Sequence, residues 1–414
     1  MADDDSRSAW RAAVTTLAAS NLVAGVVLSL GASHAGDLVQ VVRWAGEWLH
    51  GLDPYSLPDA LVDYPPWGLV WLAPLAWVPG GVLTACWVAV NLGLAAWAIA
   101  TLVGWVPEPR PQRVLLAALL ASAASFRTLS QFSLLSFALA IAGAASPSRA
   151  AGGVLLGLSL FKPQIGGAIA LWSWLRGQHG RVLAAIAVVL ALWLVFSWRL
   201  DVDPITVARE YAAALGRTYG DLSPIPGHTD VRTAIVLYLP QADGGWLLTV
   251  AIAAALFAPL GVGLWRTRGA LPGSDLEVAA FCGVVSLLSL RHLSYDLLLL
   301  LPLIVAWRVP PFAGADPRRR LGAGLDHRQA GRTGAPPRER SARFWVLAAL
   351  LVIELPSWYR RVLEPAGLTM FAFLTEFDRV LCVGVWVALA WRFVVDSGRS
   401  TTDEGTTWRT PTTD

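Results

Sequence analysis

Charge is scarce in this chain. Asp, Glu, Lys and Arg make up 15% of its 414 residues, where an ordinary soluble domain carries roughly 25%. That shortage excludes a soluble globular protein of this length. Lysine is almost missing: Lys162 is the only one, and arginine supplies every other basic side chain. Cysteine is nearly absent too. Cys86, Cys282 and Cys382 lie in separate apolar runs with no CxxC spacing and no paired histidine, so neither a disulfide framework nor a zinc site is indicated. There is no HExxH, P-loop, GxGxxG or nucleophile-elbow pattern, which removes the chemistries that depend on them. The net charge of +3 is small and the arginines sit in loops, so nothing suggests a nucleic-acid surface.

What the chain has is apolar sequence. Hydrophobic residues make up 55% of it and the mean hydropathy is +0.54. This is the composition of an all-α polytopic membrane protein, with room for about 11–13 spans of ~20 residues. Its 21 tryptophans suit a protein with long membrane–water boundaries.

The apolar run over 12–30 is long enough to span. Ser33-His34-Ala35 after it resembles a signal-peptidase site, but three acids in MADDDSRSAWR and the length of the run favour an uncleaved anchor. Residues 31–67 then form the longest stretch before Asp201 that no bilayer could absorb. It mixes acids, aromatics and prolines, with Asp37 just beyond the first run and Trp44, Trp48 and Tyr55 following. Apolar stretches over 68–78 and 82–103 are separated by Pro79-Gly80-Gly81, which reads as a tight helical hairpin. Further runs cover 114–125, 132–145, 150–175 and 182–198, and Lys162-Pro163 predicts a break or kink in the third of these. The segment 199–228 is polar, with an amphipathic first half. Spans follow near 246–265, 276–290 and 293–307. Residues 309–343 are a loop rich in arginine, glycine and proline, 344–395 hold the last spans, and 396–414 form a polar tail expected to be disordered.

Arginine placement orients these spans. The turns at 176–181 and 266–268, the loop at 308–343 and the end at 392–399 are assigned to the cytoplasm by the positive-inside rule. Alternation then puts 31–67, 199–228 and the Arg291-His292 turn together on the opposite, periplasmic face. Two counts remain for the region between. A strict count places Arg127 and Gln131 in the cytoplasm; a re-entrant 68–78 segment places them, and Lys162, outside.

Acids and bases at membrane boundaries are the candidates for chemistry: Asp37, Asp53, Asp63, Lys162, Arg291 and His292. Singly, each is more often a solvated loop charge or an interfacial anchor. As a set they suit transfer of a sugar from a lipid phosphate to a hydroxyl. That reaction needs a carboxylate to take the acceptor's proton and cations beside the departing phosphate.

Gly36-Asp37, Gly51-Leu52-Asp53-Pro54-Tyr55 and Asp63-Tyr64-Pro65-Pro66 resemble the opening of glycosyltransferase family 87. Similar stretches follow at Pro74-Leu75-Ala76-Trp77-Val78-Pro79, Ser130-Gln131-Phe132-Ser133-Leu134-Leu135, the segment 153–164 ending Phe161-Lys162-Pro163-Gln164, and Leu290-Arg291-His292-Leu293-Ser294-Tyr295-Asp296. The resemblance runs over about 31–302. It implies a GT-C type fold: a catalytic membrane module over 1–308, with periplasmic loops at 31–67 and 199–230, the first carrying amphipathic helices. It implies an inverting, polyprenyl-phosphate-mannose-dependent mannosyltransferase of the cell envelope, embedded in the plasma membrane with its site on the periplasmic side. A polyprenyl-phosphate sugar is the donor substrate and a glycolipid or glycan the acceptor; no cofactor or metal is expected. Asp37 corresponds to the family's general base, and Asp63, Tyr64, Arg127, Gln131, Lys162, Arg291 and His292 are the substrate-binding candidates. The family's usual Gly-Gln-x-Asn reads Ser130-Gln131-Phe132-Ser133 here, a departure at Gln131's own motif. The competing classes are a transporter or lipid flippase, which would place charges in mid-span, and a non-catalytic scaffold using the first loop as a docking surface.

Overall fold

The computed structural model describes residues 36–56, 62–104, 131–220, 230–238, 246–267, 275–290, 294–308 and 370–399, with single positions between 16 and 30 and residue 271. Among the described residues every regular element is helical. Three of the described helices are long and apolar enough to cross a membrane: 80–104, 179–200 and 247–266. The chain is therefore an all-α membrane protein.

The bundle starts from α1 (Gly36–Leu49), an amphipathic helix whose buried side carries Leu38, Val41, Trp44, Ala45 and Trp48. Pro65 and Pro66 then open α2 (Pro66–Leu72), where a proline at the first position costs no hydrogen bond. It runs into a 3-10 turn, Ala73–Trp77, that packs beneath α1, with Gly46 against Ala76. This corrects the expected hairpin of two apolar stretches. Twelve residues rise only about 18 Å at 1.5 Å each, and they are spent supporting the first loop rather than crossing. The first full span is α3 (Gly80–Gly104).

Next come two helical hairpins. In the first, α4 (Ser133–Ala145) and α5 (Arg149–Ser159) are antiparallel, and α6 (Pro163–Leu175) returns toward the start of α5. The stretch 150–175 is thus a hairpin and not a kinked span. The reason is local: Lys162, ahead of Pro163, is forced out of the helical region to φ −119, ψ 81. Arg181, near the start of α7 (His179–Leu200), closes the far end by donating to the carbonyls of Ala144 at 2.5 Å and Ser146 at 2.6 Å. α5 runs parallel to α7 on a glycine face. A Cβ on Gly153 would lie 2.4 Å from that of Ala184, and one on Gly157 would lie 2.8 Å from the Ala185 carbonyl. Small residues let the backbones approach this closely, the usual device in membrane helix pairs.

In the second hairpin, α11 (Asp275–Ser289) turns back through a 3-10 segment, Ser294–Leu300, into α12 (Leu301–Arg308), bringing Gly283 against Leu299. α11 lies antiparallel to α6: Arg176 pairs with Asp275 at 3.1 Å, and the Ser286 hydroxyl donates to the Gln164 carbonyl at 2.5 Å near the other end. Between α7 and α11 lie the surface helix α8 (Pro204–Gly220), the short α9 (Val231–Tyr238) and the span α10 (Trp246–Arg266). The last helix, α13 (Met370–Arg399), packs on α10 through Trp386, whose indole donates to the Leu256 carbonyl at 2.9 Å. It also reaches α11, where Arg392 pairs with the buried Glu277 at 2.5 Å. It continues past Asp396, where the sequence reading starts its tail. The loop 309–343, the run 344–355 and residues 400–414 lie outside the described residues.

Arg176, Arg181, Arg266 and Arg392 all gather at one end, while residues 36–56, α2 and α8 gather at the other, as Arg199 donating to the Leu49 carbonyl at 2.5 Å and Arg217 donating to the Tyr55 carbonyl at 2.7 Å attest. Phe161 and Lys162 lie at the first-loop end of the bundle, with Gln131 close by in the chain before α4. In a background with Cys86, Cys282 and Cys382 replaced by serine, Ser56→Cys should react with an impermeant maleimide from outside, and His179→Cys only after permeabilisation. Labelling of both from outside would refute this arrangement. Gly153→Val should cost about 1–3 kcal/mol of stability by overpacking the α5–α7 contact, read as a lower unfolding temperature in detergent.

Candidate active site

Hairpin helices α4, α5, α6 and α11 have 11 to 15 residues and α12 has 8, so they rise about 12–22 Å. A bilayer's hydrocarbon is ~30 Å thick. Their tips therefore end inside the membrane. The charged group found there is Lys162, which sits at the start of α6 and is only 6% exposed. Its ammonium pairs with the Asp296 carboxylate at 3.2 Å and donates to the Ser133 hydroxyl, which in turn donates to Asp296 at 2.5 Å. Asp296 and Ser133 are each 2% exposed. The three residues belong to three segments: the α5–α6 tip, the first turn of α4, and the 3-10 return of the second hairpin. The N-terminal ends of α4 and α6 both lie at this spot, and their free N–H groups and dipoles favour negative charge.

Over the tip sits the first loop. Tyr64 stacks on Phe161 with ring centroids 6.2 Å apart and meets Phe132 edge-on at 5.6 Å. Trp67 donates from its indole to the Leu160 carbonyl at 2.9 Å. Gly68 lies directly on Phe161, where a Cβ would come within 2.9 Å of the Phe161 Cβ. The Asp63-Tyr64-Pro65-Pro66 stretch is thus what holds the loop against the hairpin. Asp63 itself is half-buried, near enough to Tyr211 that its charge adds to burial in pushing that phenol's pKa up. Asp53 accepts from the Tyr55 backbone N–H at 3.0 Å, the turn-forming role expected of an aspartate before proline. Tyr55, fully buried, donates to the Tyr64 carbonyl at 2.7 Å and so ties the two halves of the loop together.

Asp37 occupies the first turn of α1 and is half-buried. Residues 37, 41, 44 and 48 recur at helical spacing on one stripe. Val41, Trp44 and Trp48 on that stripe are buried, and Trp44 faces Tyr64 at 6.5 Å between centroids. Asp37 therefore heads the face of α1 that is turned toward the hairpin tip. An aspartate in a first helical turn is also where the dipole favours a negative charge. The remaining candidates divide two ways. Gln131 stands two residues before Ser133, half-buried, with its side-chain carbonyl oxygen enclosed and unbonded among the described residues. Arg127, Arg291 and His292 lie outside the described residues.

Ser133 and Asp296 at the tip, and Glu210 at the loop, were not among the candidates from sequence. Asp296 had a signal, since an acid inside an apolar run needs a buried base. Buried charge is also commoner than the sequence suggests, for Asp296 is buried at the tip, and Arg181 and Glu277 are buried near the starts of α7 and α11. Among the described residues no group of three His, Cys, Asp or Glu is placed to hold a metal ion.

Glu210 belongs to α8, which braces the first loop from outside. Partial burial, a hydrogen bond with Asp53 and the charges of Asp53 and Asp203 raise its pKa from an ordinary 4.5 to about 7. A folded-state pKa above the unfolded one contributes stability fully below about 4.5, and that contribution is lost as pH rises through about 7. Glu210→Gln cannot ionise, so its unfolding temperature relative to the unmodified protein should rise across pH 6–8. A constant difference over that range would show that Glu210 does not titrate there.

No curated protein and no solved structure matches the chain. The family model for glycosyltransferase family 87 matches residues 62–308, well over half of the sequence. That range holds Tyr64, both hairpins, Lys162 and Asp296, so the elements that build the tip are those the match covers. The chain is a membrane protein belonging to glycosyltransferase family 87.

Proposed function

We propose that this glycosyltransferase moves a sugar, mannose, from a polyprenyl-phosphate donor to a hydroxyl of a glycolipid or glycan on the periplasmic side of the plasma membrane. The observation that carries the reading is the buried Lys162 ammonium beside the N-termini of two helices that are too short to cross a bilayer. A lipid phosphate could meet it there without its tail leaving the membrane. The acceptor hydroxyl attacks the anomeric carbon from the face opposite the phosphate. The bond between that carbon and the phosphate oxygen breaks, the electron pair leaves with polyprenyl phosphate, and the configuration inverts. Negative charge grows on the leaving phosphate, where Lys162 and the helix ends act.

Asp37 takes the hydroxyl proton. A positioned base typically contributes ~10²–10⁴-fold, and its place at the head of the α1 stripe facing Tyr64 supports this role. Asp53 is occupied with the turn and with Glu210. Asp63 and Tyr64 line the approach for the acceptor, and Gln131, whose side-chain oxygen has no partner among the described residues, lies next to the tip. Arg127, Arg291 and His292 complete the proposed substrate contacts.

Asp37→Asn should lower mannosyl transfer from a synthetic polyprenyl-phosphate mannose at least a hundredfold while leaving expression and thermal stability unchanged. Near-normal transfer by this variant, with loss on Asp63→Asn instead, would move the base to Asp63.

A further inference from the structure

We infer that Asp296 and Ser133 are positioning residues for Lys162: carboxylate and hydroxyl together hold its ammonium at the meeting point of the two hairpin tips, aimed at the donor phosphate. This rests on the proposed function and adds residues to which that reading gives no role.

Lysine carries its charge on a flexible four-carbon stem, so a lysine that must meet a phosphate at one point needs partners to fix it. Lys162 has them. Asp296 lies 3.2 Å from the ammonium, and Ser133 bonds both the ammonium and, at 2.5 Å, the carboxylate, closing a triangle of three buried groups. A site held by locked side chains keeps its geometry better than one left to a free rotor.

A purely structural role fits poorly. Replacing a buried ion pair with apolar side chains is often neutral or stabilising, so a fold in need only of packing gains little from one. The hairpins already close through glycine contacts at Gly143, Gly152 and Gly283, and they meet each other through the Ser286–Gln164 bond. The triangle also lies at the helix ends, beside Phe132 and Phe161 and directly beneath Tyr64, rather than along a helix–helix seam.

The test uses the full chain in detergent, with undecaprenyl phosphate as the binding probe and polyprenyl-phosphate mannose for turnover. Asp296→Asn and Ser133→Ala should each weaken probe binding and raise the donor KM about tenfold, with kcat changed less than threefold. Asp296→Glu should recover most of the loss. In a Lys162→Met background, Asp296→Asn should alter probe binding less than twofold, because a residue acting through Lys162 has nothing left to position. That double variant leaves no unpaired buried charge and guards against loss of folding in the single ones. Equal losses in both backgrounds, or an unchanged KM in folded Asp296→Asn, would overturn the inference. Absence of both probe binding and mannosyl transfer in the unmodified protein would instead overturn the proposed function beneath it.

Discussion

A helix that ends inside a bilayer leaves backbone carbonyls and N–H groups where no water can reach them, and each has to be met by protein. The two hairpins of this chain create that problem several times over at one depth. Side chains from neighbouring segments solve it. Trp67 bonds the Leu160 carbonyl and Ser136 the Ser159 carbonyl at 2.8 Å, while Ser286 ties α11 to the first turn of α6 through the Gln164 carbonyl. The Ser159 hydroxyl turns back on the Leu156 carbonyl at 2.6 Å. Because the partners come from α2, α4 and α11, satisfying the tip also fixes how four parts of the chain sit together.

The first loop is therefore built into the tip rather than laid across it. Tyr64, Trp67 and Gly68 follow the buried Tyr55 within 13 residues, and Tyr55 packs on Phe196 of α7 and on Tyr211 of α8 at centroid distances of 5.7 and 5.4 Å. Trp48 extends the stack to Phe196 and bonds its carbonyl at 3.2 Å. The outer half of α7, free of α5, serves as the post on which loop and surface helix both lean. A change in α8 thus reaches the tip through Tyr211, Tyr55 and Tyr64. The Asp53–Glu210 contact lies on that route.

Composition made the class legible, because 15% charge leaves a chain of this length no other place than a membrane. The break at Lys162-Pro163 was visible too, since the proline restricts its predecessor whatever the surroundings. The outcome of the break was not. Whether α6 continues or folds back depends on Arg181 closing the far end and on glycines at 143, 152 and 153 allowing α4, α5 and α7 to touch. Those are contacts between segments, which hydropathy does not register. The same limit left the re-entrant reading of 68–78 open beside a crossing one, because its apolar residues look like a short span until α1 is placed above them. At the site, Lys162 stood out by being alone, whereas Asp296 and Ser133 gain meaning only when a second hairpin and α4 bring them to it.

The buried Lys162–Asp296 pair and the carboxylates of the loop and surface helix occupy different layers. Lys162, Asp296 and Ser133 form a locked cluster at bilayer depth, while Asp37, Asp53, Asp63 and Glu210 belong to the loop and surface helix above, with Tyr64, Phe132 and Phe161 between. Apolar rings in that position lower the local dielectric, which strengthens the pull of a fixed ammonium on an entering anion. They also keep the outer carboxylates from neutralising Lys162, a competition that Asp296 alone is near enough to enter in the described structure. On the proposed function this layering matches an amphiphilic donor and a polar acceptor. The phosphate is drawn in from the lipid side, the hydroxyl comes from the water side, and the sugar bridges the aromatic layer at which the two meet.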